Sequence, residues 1–362
     1  MRRLLVTGGG TGGHIYPALA VARAFLAGGA GRRVRFVGSR RGLEAQLVPA
    51  ADVPFSALPI HGWRGKGPLQ RLRFLAELGV ALLGALGILL RERPGAVFAT
   101  GSFASLPVLL AARLARRPIF LQEQNSVPGR VIRLFAGRAR AVFIAYEEAA
   151  QQLPARARTL LTGNPLREEF VGLRRLPRAA DAPRRLLVFG GSRGAHSLNA
   201  ATAEALPLLA REFALEAVLQ TGPAEHAAVA AALAPLAPAV TVAAYLDDMP
   251  ARLAAADWVL CRAGAMTLAE LTALGLPAVL VPFPHAVDDH QTANAQALVD
   301  AGAAVLIPDA ELTGARLAET LAGLWREPGR EAAMAAASRA LGRPEATSAI
   351  LEAIQKSLAL CR

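Results

Sequence analysis

Short apolar runs alternate with longer mixed stretches along most of the chain. Each run is almost continuously apolar, which is typical of a strand covered on both faces of a parallel sheet. The stretches between the runs are long enough for helices, so the pattern predicts an α/β fold. The runs that predict strands are Val34–Val37, Ala96–Thr100, Ile119–Leu121, Ala141–Ile144, Glu216–Gln220, Val240–Ala243, Trp258–Leu260, Ala278–Val281 and Ala304–Ile307.

One segment occurs twice. Arg3–Gly9 reads RLLVTGG and Arg185–Gly191 reads RLLVFGG, and each copy is an apolar strand that runs into a glycine-rich turn before a helix. A mononucleotide-binding α/β unit begins in this way. A chain of 362 residues is also long enough for two domains. We therefore predict two such domains in tandem, joined by the Arg- and Pro-rich stretch Gly172–Arg185, with a ligand site in the cleft between them.

Composition and charge narrow the class of protein. Hydrophobic residues make up 53% of the chain and charged residues 19%, which excludes intrinsic disorder. Residues 1–162 carry 23 Lys+Arg against 7 Asp+Glu, whereas residues 163–362 carry 17 against 21. This asymmetry favours an N-terminal domain that faces an anionic surface or lipid head group over a nucleic-acid-binding protein. Cys261 and Cys361 have no neighbour at metal-ligand spacing, so zinc and disulfide frameworks are not expected.

Basic, aromatic and apolar residues are combined in one segment of the first half. His61–Gly67 (HGWRGKG) leads into the apolar stretch Leu69–Leu90. This combination is typical of a segment that lies at a membrane interface, and the alternative is an ordinary core helix with a solvated basic end. The longest charge-free apolar run, Leu78–Leu90, is shorter than the roughly 20 residues that span a bilayer. No transmembrane helix is expected.

A glycine-rich turn, Gly8–Gly13, joins the first strand to a predicted helix. It contains Gly-x-Gly-x-x-Gly, in which glycines let the backbone approach a phosphate and the helix start offers N–H donors. His14 follows, where the helix dipole disfavours a protonated ring, so a neutral His14 could accept a proton near pH 7. The alternative is a histidine that only caps the helix or packs.

A dinucleotide site would need an acidic residue near the end of the second strand to bind a ribose diol. The second strand here ends in Gly38-Ser39-Arg40-Arg41, which disfavours NAD. Arg40 and Arg41 could instead bind the 2′-phosphate of NADP. An NADP-dependent oxidoreductase therefore stays open as an alternative at this point.

The second half repeats the loop before a helix. Gly190–Ala195 (GGSRGA) adds Ser192 as a hydroxyl donor for a phosphate. Farther on, Arg262–Thr267 enters a helix that carries Glu270, whose carboxylate could bind a ribose or could simply complement the helix dipole. No Asp-x-Asp occurs, so a metal-bound diphosphate lacks its usual ligands and we expect neither metal nor cofactor.

Two polar runs follow apolar strands and are typical of ligand-binding loops. They are Gln122–Asn125 (QEQN) and His285–Asn294 (HAVDDHQTAN). With them, ordered motifs extend from near the N-terminus to the second half of the chain. The chain thereby resembles the MurG-type inverting glycosyltransferases. The motifs that carry the resemblance are GGGTGGHIYPALA (8–20), GWRGKG (62–67), QEQNSVPG (122–129), GNPLR (163–167), GGSRGAHSLN (190–199), YLDDM (245–249), CRAGAMTLAEL (261–271) and PFPHAVDDHQTANA (282–295).

The resemblance implies a GT-B fold, in which two Rossmann-like domains with parallel sheets face a central cleft. Residues 1–165 would form the acceptor- and membrane-facing domain and residues 166–343 the UDP-sugar-binding domain, with the helix 344–362 packed back on the first. The donor would be UDP-N-acetylglucosamine (UDP-GlcNAc). Its implied contacts are Arg167 and Ser192 for the diphosphate, Leu246 with Gly264, Ala265, Met266 and Thr267 for uracil, Glu270 for ribose, and Asn125, His290 and Gln291 for the sugar, while Thr11, Gly12 and Gly13 approach the reacting centre.

The resemblance further implies an acceptor, undecaprenyl-pyrophosphoryl-MurNAc-pentapeptide, at the cytoplasmic face of the bacterial plasma membrane. His14 is the expected base. The expected acceptor or membrane contacts are Trp63, Arg64, Lys66, Arg71, Arg73, Phe74, Gly101 and Ser102. The loop 100–107 departs from the family because it holds one glycine where the family has several. A UDP-GlcNAc 2-epimerase, which shares the donor, is a second alternative.

Overall fold

The computed structural model describes residues 2–61, 68–179 and 181–359, with the side chains of residues 68–71 left aside. It divides into two compact units, Met1–Glu168 with Arg343–Arg362, and Glu169–Gly342. The second unit is continuous in sequence, whereas the first takes its last helix from the C-terminus.

The first unit is built on a parallel sheet of seven strands in the order β3-β2-β1-β4-β5-β6-β7. The central strands are almost entirely apolar and buried, because helices cover both faces of the sheet. The strands are β1 (Arg3–Thr7), β2 (Arg33–Ser39), β3 (Phe55–Leu58), β4 (Ala96–Ala99), β5 (Ile119–Glu123), β6 (Ala141–Ile144) and β7 (Thr159–Leu161).

Seven helices belong to this unit among its described residues. They are α1 (Gly12–Ala27), α2 (Glu44–Ala50), α3 (Pro68–Glu92), α4 (Leu106–Leu114), α5 (Arg130–Ala136), α6 (Glu147–Gln151) and the C-terminal α14 (Ala346–Ala359). α14 packs against α1, and its buried Ile350 and Ile354 join the same core cluster as Phe25 of α1.

Helix α3 has two distinct faces. Ala81, Ala85 and Leu89 recur at helical spacing and are buried in the core. The opposite side exposes large apolar side chains, namely Leu72, Leu75, Val80, Leu83 and Leu90. The part Leu72–Glu92 is long and apolar enough to cross a membrane by length and composition, with 17% of its most apolar window buried. Core helices of globular proteins pass the same test, so one such helix does not by itself indicate a membrane span.

The second unit holds a parallel sheet of six strands in the order β10-β9-β8-β11-β12-β13. Its strands are β8 (Arg184–Phe189), β9 (Leu215–Gln220), β10 (Val240–Ala243), β11 (Trp258–Cys261), β12 (Ala278–Leu280) and β13 (Ala304–Leu306). Its helices are α7 (His196–Leu209), α8 (His226–Leu233), α9 (Met249–Ala255), α10 (Ala265–Leu274), α11 (His290–Asp300), α12 (Gly314–Arg326) and α13 (Arg330–Leu341). The two copies of the repeat thus form β1 and β8, each at the third position of its sheet.

The predicted linker Gly172–Arg185 lies within the second unit, where an ion-pair network holds it. Asp257, 1% exposed, lies within 3.5 Å of Arg175, 3.0 Å of Arg178 and 2.9 Å of Arg185. Glu331 of α13 also pairs with Arg175 and Arg178. The Arg-rich composition of this stretch therefore has a structural use, because its guanidinium groups surround one buried carboxylate.

The predicted parallel α/β architecture is confirmed, and the nine strands predicted from apolar runs and the two predicted from the repeat occur with nearly the predicted bounds. The strands β3 and β7 were not predicted from the sequence pattern. Both lie at the edges of the first sheet and are half exposed, so they lack the continuous apolar run of a central strand.

Candidate active site

His14 lies at the carboxyl ends of the central strands of the first sheet. It stands in the first turn of α1, after the loop that leaves β1. Its Nδ1 is 2.7 Å from the carbonyl oxygen of Thr100, which follows β4. The same nitrogen is 2.9 Å from Oε1 of Gln124, which follows β5. Groups that follow three neighbouring strands therefore meet at one imidazole ring.

A buried carboxylate holds the glycine loop that precedes His14. Glu44, at the start of α2, is 0% exposed. Its Oε2 accepts a hydrogen bond from the N–H of Gly10 at 3.0 Å. Its Oε1 accepts from the N–H and the hydroxyl of Ser39, at 2.9 and 2.7 Å. The glycine loop is thereby tied to the end of β2.

Glu44 also bears on the NADP alternative. Its side chain lies so close to Gly9, Gly38 and Gly42 that a Cβ on any of them would collide with it, in the carboxylate at Gly9 and Gly42 and in Cγ at Gly38. A buried carboxylate that bonds Ser39 at the end of β2 disfavours a phosphate at the same place. The geometry of this loop therefore argues against the 2′-phosphate of NADP.

A second buried carboxylate shapes the loop after β5. Glu123 accepts hydrogen bonds from the N–H of Asn125 at 2.9 Å and from the N–H of Gly129 at 2.9 Å. The side-chain amide of Asn125 donates to it at 3.3 Å. Burial raises the pKa of Glu123 above its ordinary value, although these hydrogen bonds act in the opposite direction. Glu123 thus fixes the loop on which Asn125 lies.

The loop after β4 adopts a backbone that favours glycine at two successive positions. Gly101 has φ +91° and Ser102 has φ +70°. A Cβ on Gly101 would come within 3.3 Å of Ile132 and 3.7 Å of Cε1 of His14, so the loop adjoins the ring, and the positive φ favours glycine there. The Ser102 hydroxyl accepts from the N–H of Ala104 at 3.2 Å. A serine in this conformation costs about 1–3 kcal/mol, so this chain keeps a backbone that glycine would adopt more easily.

One buried glutamine connects two loops of the second unit. Gln220, at the end of β9, donates from Nε2 to the carbonyl of Gly191 at 2.9 Å. Its Oε1 accepts from the N–H of Leu246 at 2.9 Å. The loop 190–195, in which Ser192 is exposed, is therefore joined to the loop that carries Leu246. Gly194 has φ +77°, and a Cβ there would collide with the backbone of Thr221.

An arginine holds the loop after β12. Arg262 donates to the carbonyl oxygens of Val281 and Pro282 at 3.2 and 3.0 Å and pairs with Asp309. Its guanidinium also lies 5.7 Å from the ring centre of Phe283. Arg262 precedes Gly264, the N-cap of α10, so the same short segment supports both the helix start and the neighbouring loop.

Comparison with known proteins decides the family. Residues 4–144 match the glycosyltransferase family 28 N-terminal domain, and residues 185–350 match the glycosyltransferase family 28 C-terminal domain. The chain is 43% identical to the UDP-N-acetylglucosamine–N-acetylmuramyl-(pentapeptide) pyrophosphoryl-undecaprenol N-acetylglucosamine transferase of Desulforudis audaxviator, over 98% of both chains. The chain belongs to glycosyltransferase family 28. It is also 41% identical to the Geobacter metallireducens protein of the same name, again over 98% of both chains.

Solved structures agree with this family. The glycosyltransferase matches the crystal structure of Acinetobacter baumannii MurG with a TM-score of 0.82 and 30% identity, over 98% of this chain and 100% of that one. A UDP-GlcNAc 2-epimerase from Neisseria meningitidis matches with a TM-score of 0.69 and 15% identity, over 98% and 100% of the two chains, which is a likeness of fold alone. The expected GT-B fold and hexosyltransferase class are confirmed.

The predicted donor-site residues of the glycosyltransferase lie after the carboxyl ends of strands in both units. In the first unit Thr11, Gly12 and Gly13 follow β1, as does the predicted base His14, and Asn125 follows β5. Gly101 and Ser102, which are predicted acceptor contacts, follow β4. In the second, Ser192 follows β8, Leu246 follows β10, Gly264, Ala265, Met266, Thr267 and the buried Glu270 follow β11, and His290 and Gln291 follow β12. Arg167 belongs to the first unit, where its guanidinium lies 5.6 Å from the ring centre of Tyr16.

Two of the predicted sugar contacts already have partners within their own loop. Nδ1 of His290 is 2.7 Å from the carbonyl oxygen of Val287. Oε1 of Gln291 accepts from the N–H of Phe283 at 2.9 Å. Both side chains are therefore held in place by the loop after β12.

The structure describes the side chains of only some of the predicted acceptor and membrane residues. Trp63, Arg64 and Lys66 lie outside the described residues, and Arg71 is described by its backbone alone. Arg73 pairs with Glu77 at 3.0 Å, one turn farther along α3. Phe74 is partly buried and packs against the core of the first unit, as in an ordinary amphipathic helix.

Four groups of the glycosyltransferase were not predicted from the sequence: the Thr100 carbonyl and the side chains of Glu44, Gln124 and Gln220. A signal existed for two of them. Gln124 belongs to the polar run QEQN, and Glu44 follows the second strand, near where a dinucleotide site would need an acid. Gln220 ends an apolar strand and carries no local signal. Within residues 2–61, 68–179 and 181–359, no group of three or more His, Cys, Asp or Glu is placed to hold a metal ion.

Proposed function

We propose that this chain transfers N-acetylglucosamine from UDP-GlcNAc to the 4-hydroxyl of undecaprenyl-pyrophosphoryl-MurNAc-pentapeptide, the step from lipid I to lipid II in peptidoglycan synthesis. The observation that carries the proposal is near-full-length identity of 41–43% to transferases named for this reaction. The 30% identity to MurG over nearly the whole chain adds to it. The weaker likeness to a 2-epimerase extends to the fold only.

The donor contacts are proposed on the second unit. The N–H groups at the start of α7, with Ser192, would bind the diphosphate, since a helix start carries partial positive charge. Leu246 and the start of α10 would hold uracil, and Glu270 would bind the ribose diol. Gln220 supports this arrangement because it joins the loops of Ser192 and Leu246 with two hydrogen bonds.

The proposed reaction is a single displacement that inverts the anomeric carbon. The acceptor O4–H gives its proton to His14, and O4 forms a bond to C1 of the sugar. The bond from C1 to the diphosphate oxygen breaks, and its electron pair leaves with UDP. Arg167 and helix-start N–H groups would stabilise the charge that grows on the leaving group. A positioned base contributes typically 10²–10⁴-fold to the rate.

The proposed acceptor side is the first unit, on the cytoplasmic face of the plasma membrane. Excess Lys and Arg lie in the first half of the sequence, and α3 exposes Leu72, Leu75, Val80, Leu83 and Leu90. Each basic side chain near anionic lipid contributes about 1 kcal/mol, so a few suffice for peripheral binding. The exposed leucines would add apolar contact at the interface.

The transfer reaction is tested with radiolabelled UDP-GlcNAc and a short-chain lipid-linked acceptor, in the presence and absence of EDTA. We expect label in the lipid product, release of UDP and no loss of activity in EDTA. Donor incubated alone should give no epimerised sugar, which separates the epimerase alternative. Nicotinamide binding without UDP-sugar binding would instead revive the oxidoreductase.

Membrane binding is tested separately by vesicle sedimentation. Wild-type protein should prefer vesicles that contain anionic lipid and should dissociate at high salt. Leu83→Glu, at a position 71% exposed on α3, should weaken binding, whereas Leu208→Glu on α7 serves as the matched control. Equal binding to neutral and anionic vesicles would refute the membrane proposal and leave the transfer proposal intact.

A further inference from the structure

The hydrogen bonds of His14 determine which ring nitrogen carries a proton. Both oxygen atoms near Nδ1 belong to carbonyl groups, the backbone carbonyl of Thr100 at 2.7 Å and the side-chain carbonyl of Gln124 at 2.9 Å. A carbonyl oxygen accepts hydrogen bonds and cannot donate one. Nδ1 must therefore be the protonated nitrogen, and the lone pair of the neutral ring lies on Nε2.

The orientation of the Gln124 amide follows from its second contact. Its Nε2 donates to the carbonyl of Gln122 at 3.0 Å, so Oε1 is the atom turned toward His14. With the amide reversed, its NH2 group would face the Nδ1–H of His14, donor against donor. Its oxygen would face the carbonyl oxygen of Gln122, acceptor against acceptor. The amide is 1% exposed, so water does not offer an alternative partner.

The backbone that carries Gln124 is itself held by side chains. The amide of Asn164 donates to the carbonyl of Gln124 at 3.0 Å. The amide of Gln122 donates to Oδ1 of Asn164 at 3.2 Å. Gln122 and Asn164 are both buried, so the three amides form one network with little freedom to rearrange.

We propose that Gln124 is a positioning residue that sets the tautomer of His14, keeping the proton on Nδ1 and making Nε2 the proton acceptor. This inference rests on the proposed function, in which His14 takes the proton of the acceptor hydroxyl. Gln124 touches neither substrate in this scheme and acts only through the ring.

The amide also responds as the reaction proceeds. When the acceptor O4–H transfers its proton to Nε2, the ring becomes a cation and its Nδ1–H becomes a stronger donor. Hydrogen bonds from a charged donor are roughly twice as strong as those between neutral groups. The bond to Gln124 therefore strengthens in the transition state, which lowers the barrier rather than only binding substrate.

The residue before Gln124 is Glu123, whose side chain is charged when ionised but is used elsewhere. The carboxylate of Glu123 is bound by the N–H groups of Asn125 and Gly129. The two acceptors at Nδ1 of His14, the carbonyl groups of Thr100 and Gln124, are neutral. A neutral acceptor orients the ring without the strong stabilisation of the imidazolium that a carboxylate would give, which suits a base that must start unprotonated.

The test is nitrogen-15 NMR of the histidine rings in full-length protein, with the signals of His14 assigned by their loss in His14→Ala. Wild-type His14 should show protonated Nδ1 and unprotonated Nε2. Gln124→Met keeps a similar shape but removes the carbonyl, so the population protonated at Nε2 should rise. Gln124→Glu presents an oxygen to Nδ1 in either protonation state and should restore the wild-type tautomer. Gln46→Met, at an exposed position on α2, is the matched control and should change nothing.

Kinetics provide the second readout. Gln124→Met should lower kcat about tenfold or more, with KM for UDP-GlcNAc changed less than about twofold, because one hydrogen bond to a charged donor is lost from the transition state. In a His14→Ala background the same substitution should add less than about twofold, since Gln124 acts through the ring.

The outcomes separate the inference from the proposed function. An unchanged tautomer in Gln124→Met would mean that the Thr100 carbonyl suffices, and it would overturn the inference whatever the activity. An equal loss of kcat in both backgrounds would also overturn it. Wild-type activity in His14→Ala would instead remove His14 as the base, while the tautomer measurement would still stand by itself. Far-UV circular dichroism of each variant excludes a loss of folding as the cause.

Discussion

Replacing Glu44 by alanine should destabilise the first unit and disturb the loop that leads to His14. The carboxylate accepts hydrogen bonds from the N–H of Gly10 and from the N–H and hydroxyl of Ser39. Glu44 and Ser39 are both buried, so water cannot readily replace these bonds in the variant. The N–H of Gly10 is half-buried and can reach solvent.

The magnitude follows from the two Ser39 donors. A buried donor left without a partner costs about 1–3 kcal/mol, so two such donors give roughly 2–6 kcal/mol of lost stability. Glu44→Gln retains one acceptor oxygen, and both Ser39 donors bond a single oxygen, so they stay paired while the amide turns toward Gly10. Its loss of stability should therefore come from the N–H of Gly10 alone, at most about 1–3 kcal/mol, and be smaller than that of Glu44→Ala.

The assay is urea unfolding at pH 7 followed by far-UV circular dichroism, with kcat measured on the folded variants. Gln46→Ala, an exposed substitution on the same helix, should stay within about 0.5 kcal/mol of wild type. A Glu44→Ala protein within about 1 kcal/mol of wild type would refute the reasoning. It would mean that the loop finds other acceptors or that relief from burying the carboxylate offsets the lost hydrogen bonds.

Three further predictions concern the second unit. Asp257→Ala leaves arginines without their shared carboxylate and should lower the unfolding free energy by about 3–5 kcal/mol, and a urea midpoint equal to wild type would contradict this. Gln220→Leu breaks the link between the loops of Gly191 and Leu246, so KM for UDP-GlcNAc should rise about tenfold in initial-rate assays, with a smaller change in kcat. The hydrogen bond from Asn199 lowers the pKa of Glu225, so this group stabilises the fold above its unfolded pKa and loses that effect as pH falls through its folded pKa. The stability gap between wild type and Glu225→Gln should accordingly be present at pH 7 and close below about pH 4; a gap independent of pH would contradict the linkage.

Much of the candidate site could be predicted because its signals are local. The loop 8–13 and the loop 190–195 are both short glycine-rich turns between an apolar strand and a helix. Each can be recognised from about ten neighbouring residues. Their use near a phosphate follows from backbone N–H groups, which every such turn provides. The same reasoning located the polar runs after β5 and β12.

The edge strands show where local signals fail. β3 and β7 are short, half exposed and paired on one side only, so their sequences carry neither a continuous apolar run nor a regular alternation. Whether such a segment becomes a strand depends on the neighbour that pairs with it. The exposed face of α3 shows the same dependence, since its leucines face outward only because Ala81, Ala85 and Leu89 are the side that the core accepts.

The sequence by itself determined the duplicated α/β units, the turns before α1 and α7, and the uneven distribution of charge, because each is encoded in neighbouring residues. Only the tertiary structure decided how His14 is held. Its partners Thr100 and Gln124 lie 86 and 110 positions away along the chain, and Glu44 lies 34 positions from Gly10. Strand order in the parallel sheet brings these groups together at one edge, and no pattern of hydrophobic and polar residues specifies which buried oxygen will meet which ring nitrogen.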